Sequence, residues 1–163
     1  MTKKSVVKKK KEKPSAKVAA SNPKARHDYL ILDSLEAGII LTGSEVKSLR
    51  DGRASLREAF AVIQDDEVFL INMHIPPYPQ AGYAQHEPTR KRKLLLHKAE
   101  IERLAGKTAE RGLTLVPIKC YFTHGLAKIE LGVAKGKKNY DRREDLKAKD
   151  AKMQIDRALF RRR

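Results

Sequence analysis

The stretch "LTLVPIKCYFTHGLAKIELGVA", residues 113–134, decides the fold. Its two flanking runs are of strand length and rich in Leu, Ile, Val and aromatic residues, while "THG" at 123–125 has turn composition. Together they predict an antiparallel hairpin. Pro117 has no N–H to give to a ladder, so it predicts an edge or a bulge inside the first run. Cys120, the single cysteine, lies among apolar residues and is read as structural. Alone it excludes an intramolecular disulfide framework and a multi-cysteine zinc site.

Moving outward, the same pattern recurs in "HDYLILD" (27–33), "AGIILTG" (37–43), "AFAVIQ" (59–64) and "EVFLINMHI" (67–75). "QDDE" at 64–67 reads as a second hairpin turn. Two helices interrupt the strands. "SEVKSLRDG" has Ser44 as its N-cap, Val46 and Leu49 on one face, and Gly52 as its stop. "HKAEIERLAGKTAERG" places Ile101, Leu104 and Ala105 on one side and ends at Gly112. Six short strands, tight turns and no crossover helices predict a mainly β fold: an OB-like antiparallel β-barrel of about six strands, flanked by helices.

Charge divides the chain into three parts. The 163 residues carry a net charge of +16, yet residues 27–134 hold fourteen basic and fourteen acidic side chains. The excess lies in the tails, about +9 over residues 1–26 and +7 over 135–163. Such a balance predicts attraction to a polyanion, supplied by the tails, with a local patch on the body. The domains read as a disordered basic leader (1–24), a barrel (25–134) and a basic C-terminal tail (135–163). The leader mixes lysine with Ser, Ala and Pro, whereas the tail has helix formers and the apolar residues Leu146, Met153, Ile155, Leu159 and Phe160. No secretory apolar stretch or membrane-length apolar window is present, which predicts a cytoplasmic protein that does not enter a membrane.

Catalytic and metal-binding patterns are missing. His27, His74, His86, His97 and His124 are dispersed without metal-ligand spacing. "GVAKGKK" departs from a phosphate loop: Gly132 and Gly136 enclose three residues instead of four, and Lys138 stands where Ser or Thr is needed. Asp65, Asp66 and Glu67 read as a turn rather than a nuclease cluster. The expectation is a protein that is not an enzyme and uses no cofactor or metal. Two basic stretches are candidates for phosphate contact: Arg90, Lys91, Arg92 and Lys93 before three leucines, and Lys47, Arg50 and Arg53 at a helix end.

"KARHDYLI", "EAGIILTGSEVKSLRDGRASL", "NMHI", "PTRKRKLLLH", "GLTLVPIKCYF", "GVAKGKKNYDRRE" and "IDRA" occur in an order that resembles the SsrA-binding protein family, small protein B. The resemblance runs from about Asn22 to the end. It implies an OB-like barrel that binds the tRNA-like domain of transfer-messenger RNA and delivers it to stalled 70S ribosomes for trans-translation. By resemblance Glu36, Leu95, His97 and Lys128 fall at RNA-contact positions, with His97 where asparagine often stands. The tail motif Gly136, Lys137, Lys138, Tyr140, Asp141 and Arg142, with the following Arg143, is assigned to the decoding region of 16S rRNA. The tail, with Leu159 and Phe160 near its end, is expected to be disordered when free and helical in the empty mRNA channel. Elongation factor Tu and alanyl-tRNA synthetase are implied as partners through the RNA, and the chain is expected to be a monomer. A general OB-fold RNA chaperone or a ribosome-associated structural protein is the alternative reading.

Overall fold

The structure, a computed structural model, describes residues 17–110 and 112–160. In chain order the elements are β1 (Lys17–Ser21), α1 (Pro23–Asp28), β2 (Tyr29–Ile39), α2 (Gly43–Arg50), β3 (Phe60–Gln64), β4 (Glu67–Ile71), β5 (Arg92–Leu95), α3 (Lys98–Thr108), β6 (Leu113–Thr123), β7 (Leu126–Gly136) and α4 (Asn139–Phe160). A single 3-10 turn, Pro79–Ala81, lies in the long connection before β5.

Two tight turns set the strand register. Asp65 and Asp66 take φ of 52° and 57°, and His124 and Gly125 take 50° and 78°. Paired positive φ values are those of a type I′ turn, whose twist matches that of the strands it joins. Accordingly β3 and β4 pair from Gln64–Glu67, and β6 and β7 from Thr123–Leu126. Both expected hairpins are present.

On its other edge β7 pairs with β2, from Gly38–Lys128 to Tyr29–Gly136. From β2 the ladder passes to β5, β4 and β3, and β3 rejoins β6 through Ala61–Leu115. Six antiparallel strands therefore close into a ring, an architecture compatible with the expected OB-like barrel. β1 adds to the edge of β6 that also meets β3. The register slips between Pro117 and Lys119, the bulge that the proline predicts. Cys120 is fully buried, and burial pushes its thiol up to about 12, so it is an inert core side chain.

Four local expectations need correction. Most of the run at 27–33 and the start of that at 37–43 form one strand, β2, because the intervening "SLE" continues the pairing with β7. The leader boundary at residue 24 falls too late. Lys17–Ser21 already pairs with β6, and Asn22 caps α1 while its Nδ2 donates to the carbonyls of Leu56 (2.9 Å) and Pro117 (3.1 Å). Residues 1–16 lie outside the described residues. The N-cap of α2 is Thr42, not Ser44, because Glu45 three residues later accepts the Thr42 N–H at 2.7 Å. α3 stops at Thr108, and Gly112, with φ of 83°, leads into β6 instead; Ala105 is exposed. The C-terminal segment is helical over Asn139–Phe160. Twenty-two residues without Gly or Pro exceed the roughly 12–15 at which isolated helices become marginal. Opposite charges spaced at i, i+4, such as Asp145 and Lys149, add support.

Leu49, Leu56, Leu70, Met73, Leu115 and Ile129 form the centre of the core, each with no more than 1% of its surface exposed. Among them sit two charged side chains, Glu45 of α2 and Arg92 of β5, both fully buried. Arg92 Nε donates to Glu45 Oε1 at 2.9 Å, and its other nitrogens donate to the carbonyls of Met73 (2.5 Å), Pro88 (3.0 Å) and Arg90 (3.2 Å). Arg90 grips the same carboxylate with Nε at 2.7 Å and Nη2 at 2.6 Å. Burial alone would push the Glu45 carboxyl up, but the Arg90 and Thr42 donors and the Arg92 charge hold it below the usual glutamate range.

Replacing Glu45 with Gln leaves Arg92 buried without a counter-charge. Urea unfolding at neutral pH should show a loss of about 3–5 kcal/mol. Because the folded carboxyl titrates below its unfolded value, its stabilisation is complete above the ordinary glutamate range. It is lost as pH falls through the lowered value. Acid titration of stability should contain that component in the parent chain and lack it in E45Q.

Candidate nucleic-acid interface

Gly38 of β2 is paired with Leu95 of β5 and with Lys128 of β7. Three strands thus present one outward face on which Glu36, Leu95 and Lys128 are neighbours. A Cβ on Gly38 would lie 3.2 Å from that of Leu95, so its absence leaves a shallow open cleft lined by Glu36, Leu95, Leu96, His97, Glu100 and Lys128. His97 belongs to it because it is the N-cap of α3, where its N–H donates to Glu100 Oε2 at 2.9 Å. The structure brings these four sequence-selected positions to one place.

Leu95 is half exposed (52%). Glu36 forms an ion pair with Lys128 and accepts the Tyr121 hydroxyl proton. Such a surface offers an apolar plate to a base or ribose, an ammonium to a phosphate, and a carboxylate to 2′-OH or amino groups. Tyr121 was not legible as part of it. Its signal is the register, which places it opposite Lys128 across β6 and β7. Burial pushes the Tyr121 hydroxyl well above the ordinary tyrosine range, and its bond to the Glu36 carboxylate adds to the rise.

The run Arg90–Lys93 is not the cationic rim its sequence implies. Strand alternation turns Arg92 wholly inward, and Arg90 is spent on Glu45. Lys91 lies 3.9 Å over the Phe69 ring and donates to Gln64 at 2.6 Å, while Lys93 pairs with Glu67. Arg92 is therefore removed from the set of RNA-contact candidates. Lys47, Arg50 and Arg53 are exposed, but none lines the cleft: Lys47 sits 5.6 Å over Tyr78, Arg50 5.7 Å over Phe122, and Arg53 is 3.6 Å from Asp51.

The tail motif is fastened to the junction of α1 and β2. Gly136 closes the β2–β7 ladder, the Lys137 N–H donates to the Asp28 carbonyl at 2.9 Å, and Lys137 Nζ donates to the Arg26 carbonyl at 3.0 Å and pairs with Asp145. Lys138 N–H donates to Asp141 Oδ2 at 3.1 Å, and Arg142 lies 4.0 Å from Asp28. The hydrogen bond from His27 lowers the Asp28 carboxyl; burial opposes this, and the Arg142 charge adds to the lowering. From Arg143 onward the described side chains are exposed, including Leu146, Met153, Ile155 and Leu159. The side chains of Tyr140 and Phe160 lie outside the described set.

Among the described residues no group of three or more His, Cys, Asp or Glu could hold a metal ion, and no helix is long and apolar enough to cross a membrane. The family model for SmpB protein matches residues 19–161. The chain belongs to the SmpB family. Among SmpB relatives, the SsrA-binding protein of Salinispora tropica is 61% identical over 146 residues, covering 90% of this chain and 92% of the relative. The SsrA-binding protein of Bacillus subtilis is 55% identical over 147 residues, covering 90% and 94%. A solved chain described under "tmRNA-SmpB: a journey to the center of the bacterial ribosome" superposes with a TM-score of 0.63 at 54% identity, over 73% of this chain and 84% of that one.

Tyr121 should ionise above the ordinary tyrosine range when absorbance near 295 nm is followed to high pH, with Tyr121→Phe assigning its step. Glu36→Gln should move that step down. Since the folded value is raised, the linked stabilisation is complete below the ordinary tyrosine range and is lost as pH rises through the folded value.

Proposed function

We propose that this SmpB-family chain binds the tRNA-like domain of transfer-messenger RNA and carries it to stalled ribosomes for trans-translation. The observation that carries this reading is the convergence of Glu36, Leu95, His97 and Lys128 on one cleft. In a body with balanced charge, local chemistry and shape must select the RNA, while the charged tails supply the salt-dependent attraction. Nothing in that cleft calls for bond making: it binds, and the protein acts by geometry, without catalysis or cofactor. Lys47, Arg50, Arg53 and Lys91 add phosphate contacts outside the cleft.

The C-terminal segment takes the ribosomal half of the task. Gly136, Lys137, Lys138, Tyr140, Asp141, Arg142 and Arg143 form the root that meets the decoding region of 16S rRNA. α4 then extends about 33 Å at roughly 1.5 Å per residue, long enough to lie in the mRNA channel when no message fills it. Message and helix compete for one volume, so an empty channel is sensed without reading sequence. Leu159 and Phe160 would lie deepest. A cytoplasmic monomer fits this role, and elongation factor Tu and alanyl-tRNA synthetase would be met through the shared RNA.

Leu95→Ala should weaken binding of the tRNA-like RNA, and Lys128→Ala should do so while lowering the slope of log K against log salt by about one. A chain ending at Lys138 keeps β7 intact and should still bind that RNA, with a smaller salt slope, yet fail to support peptide tagging on stalled ribosomes. Equal binding of tRNA, tRNA-like RNA and unrelated hairpins would favour a general RNA chaperone. Tagging by the shortened chain would refute the role given to α4.

A further inference from the structure

Residues 76–91, between Ile75 and β5, take no part in the ring of strands, and a connection of this length is usually functional. It is nevertheless firmly held. Ser48 Oγ donates to the Pro76 carbonyl at 2.7 Å, Gln85 Nε2 donates to the Tyr78 carbonyl at 2.8 Å, and Arg92 reaches the Pro88 carbonyl. His86, 9% exposed, is bonded through one ring nitrogen to the Ile75 carbonyl and through the other to Ser44 Oγ, each at 2.9 Å. The 3-10 turn Pro79–Ala81 ends at Gly82, whose φ of 54° and ψ of −123° suit glycine alone.

What this anchored segment presents is Tyr83, a ring left wholly in water, whereas Tyr29, Tyr78 and Tyr121 are each at least partly covered. An exposed aromatic on a well-tied loop is suited to contact, because its ring has few rotamers to lose and a large face to bury. Ala81 and Ala84, on either side of it, line an open cleft with Ser44, Lys47, Gln85 and His86, and no Asp or Glu is among the residues lining that cleft. Lys47 in a cleft walled by the residues that flank an uncovered ring supplies a partner for phosphate near a face that can stack a base.

We propose that Tyr83 stacks on an unpaired nucleobase of the bound tRNA-like RNA while Lys47 takes a neighbouring phosphate in the cleft beside it. This inference rests on the RNA-binding reading above. The same RNA is implied because residues 76–91 lead directly into β5: Arg90, which also lines this cleft, and Leu95 of the other cleft are five residues apart, at most about 17 Å of extended chain, so one folded RNA can span both.

The test measures anisotropy of labelled tRNA-like RNA with the full chain and with Tyr83→Ala, Tyr83→Phe, Lys47→Ala and Lys128→Ala. Tyr83→Ala should raise Kd by roughly fivefold to a hundredfold, the range spanned by base–aromatic stacking. It should leave the salt slope unchanged, and Tyr83→Phe should stay within about twofold because the ring remains. Lys47→Ala should lower the salt slope by about one. Parent-like binding by Tyr83→Ala, with or without a defect confined to ribosomes, would overturn the inference, as would equal losses for Ala and Phe. A loss at Tyr83 with none at Lys128 would uphold the stacking contact and refute the Glu36–Lys128 cleft instead.

Discussion

Lys128 of the candidate cleft and the root of α4 both belong to β7, a strand paired along both edges. Lys128 stands near its start and Gly136 at its end, eight residues or about 27 Å apart in extended chain. Because β2 flanks one side and β6 the other, that spacing cannot stretch or slide without breaking two ladders at once. At its middle, a Cβ on Gly132 would meet the side chains of Ile118 at 3.0 Å and Ile31 at 3.2 Å, so glycine leaves room for both to lie close over the strand. The proposed RNA cleft and the root of α4 are thus tied to two ends of one strand held on both sides. A rescue factor that must place a tRNA-like body at a fixed offset from a decoding site needs that property.

Charge is arranged on the same plan. In the body, cations that look available in sequence are used internally: Arg90 and Arg92 by Glu45, Lys93 by Glu67, Lys107 and Arg103 by Asp33, and Lys119 by Glu130. α4 itself is nearly neutral, with six basic and five acidic side chains; the positive excess of the C-terminal segment sits at Lys135, Lys137 and Lys138 and at Arg161–Arg163. Counterion release would therefore act mainly at the two ends of the helix. The balanced middle can enter or leave a phosphate-lined channel without being trapped along its length. Opposite charges spaced at i, i+4 along the segment, such as Lys152 and Asp156, favour the helix over Asn139–Phe160.

Hairpins were legible because the chemistry of a type I′ turn is local. Asp65–Asp66 and His124–Gly125 are residues that tolerate positive φ, flanked by strand formers. Pro117 announced its bulge for the same reason. β5 was not legible: four residues, two of them cations, carry no period long enough to read. β1 hid in lysine-rich surroundings, although its small residues fit the edge of β6. The inward turn of Arg92 depends on Glu45, forty-seven positions away, and no local pattern announces such a pair. Of the cleft, Glu36, Leu95, His97 and Lys128 came from family resemblance. Tyr121 and Gly38 emerge only once register is known, because their roles lie in what stands opposite them.

The central claim is a division of labour along β7, in which the cleft at one end recognises the RNA and α4 takes no part in that step. Amide chemical-shift mapping of the full-length chain, titrated with the isolated tRNA-like domain, tests it directly. The account predicts that the largest changes fall at Glu36–Gly38, Leu95–His97 and Lys128, with residues 143–160 unmoved. Perturbations concentrated in α4, or spread evenly over exposed lysines and arginines with the cleft silent, would contradict it.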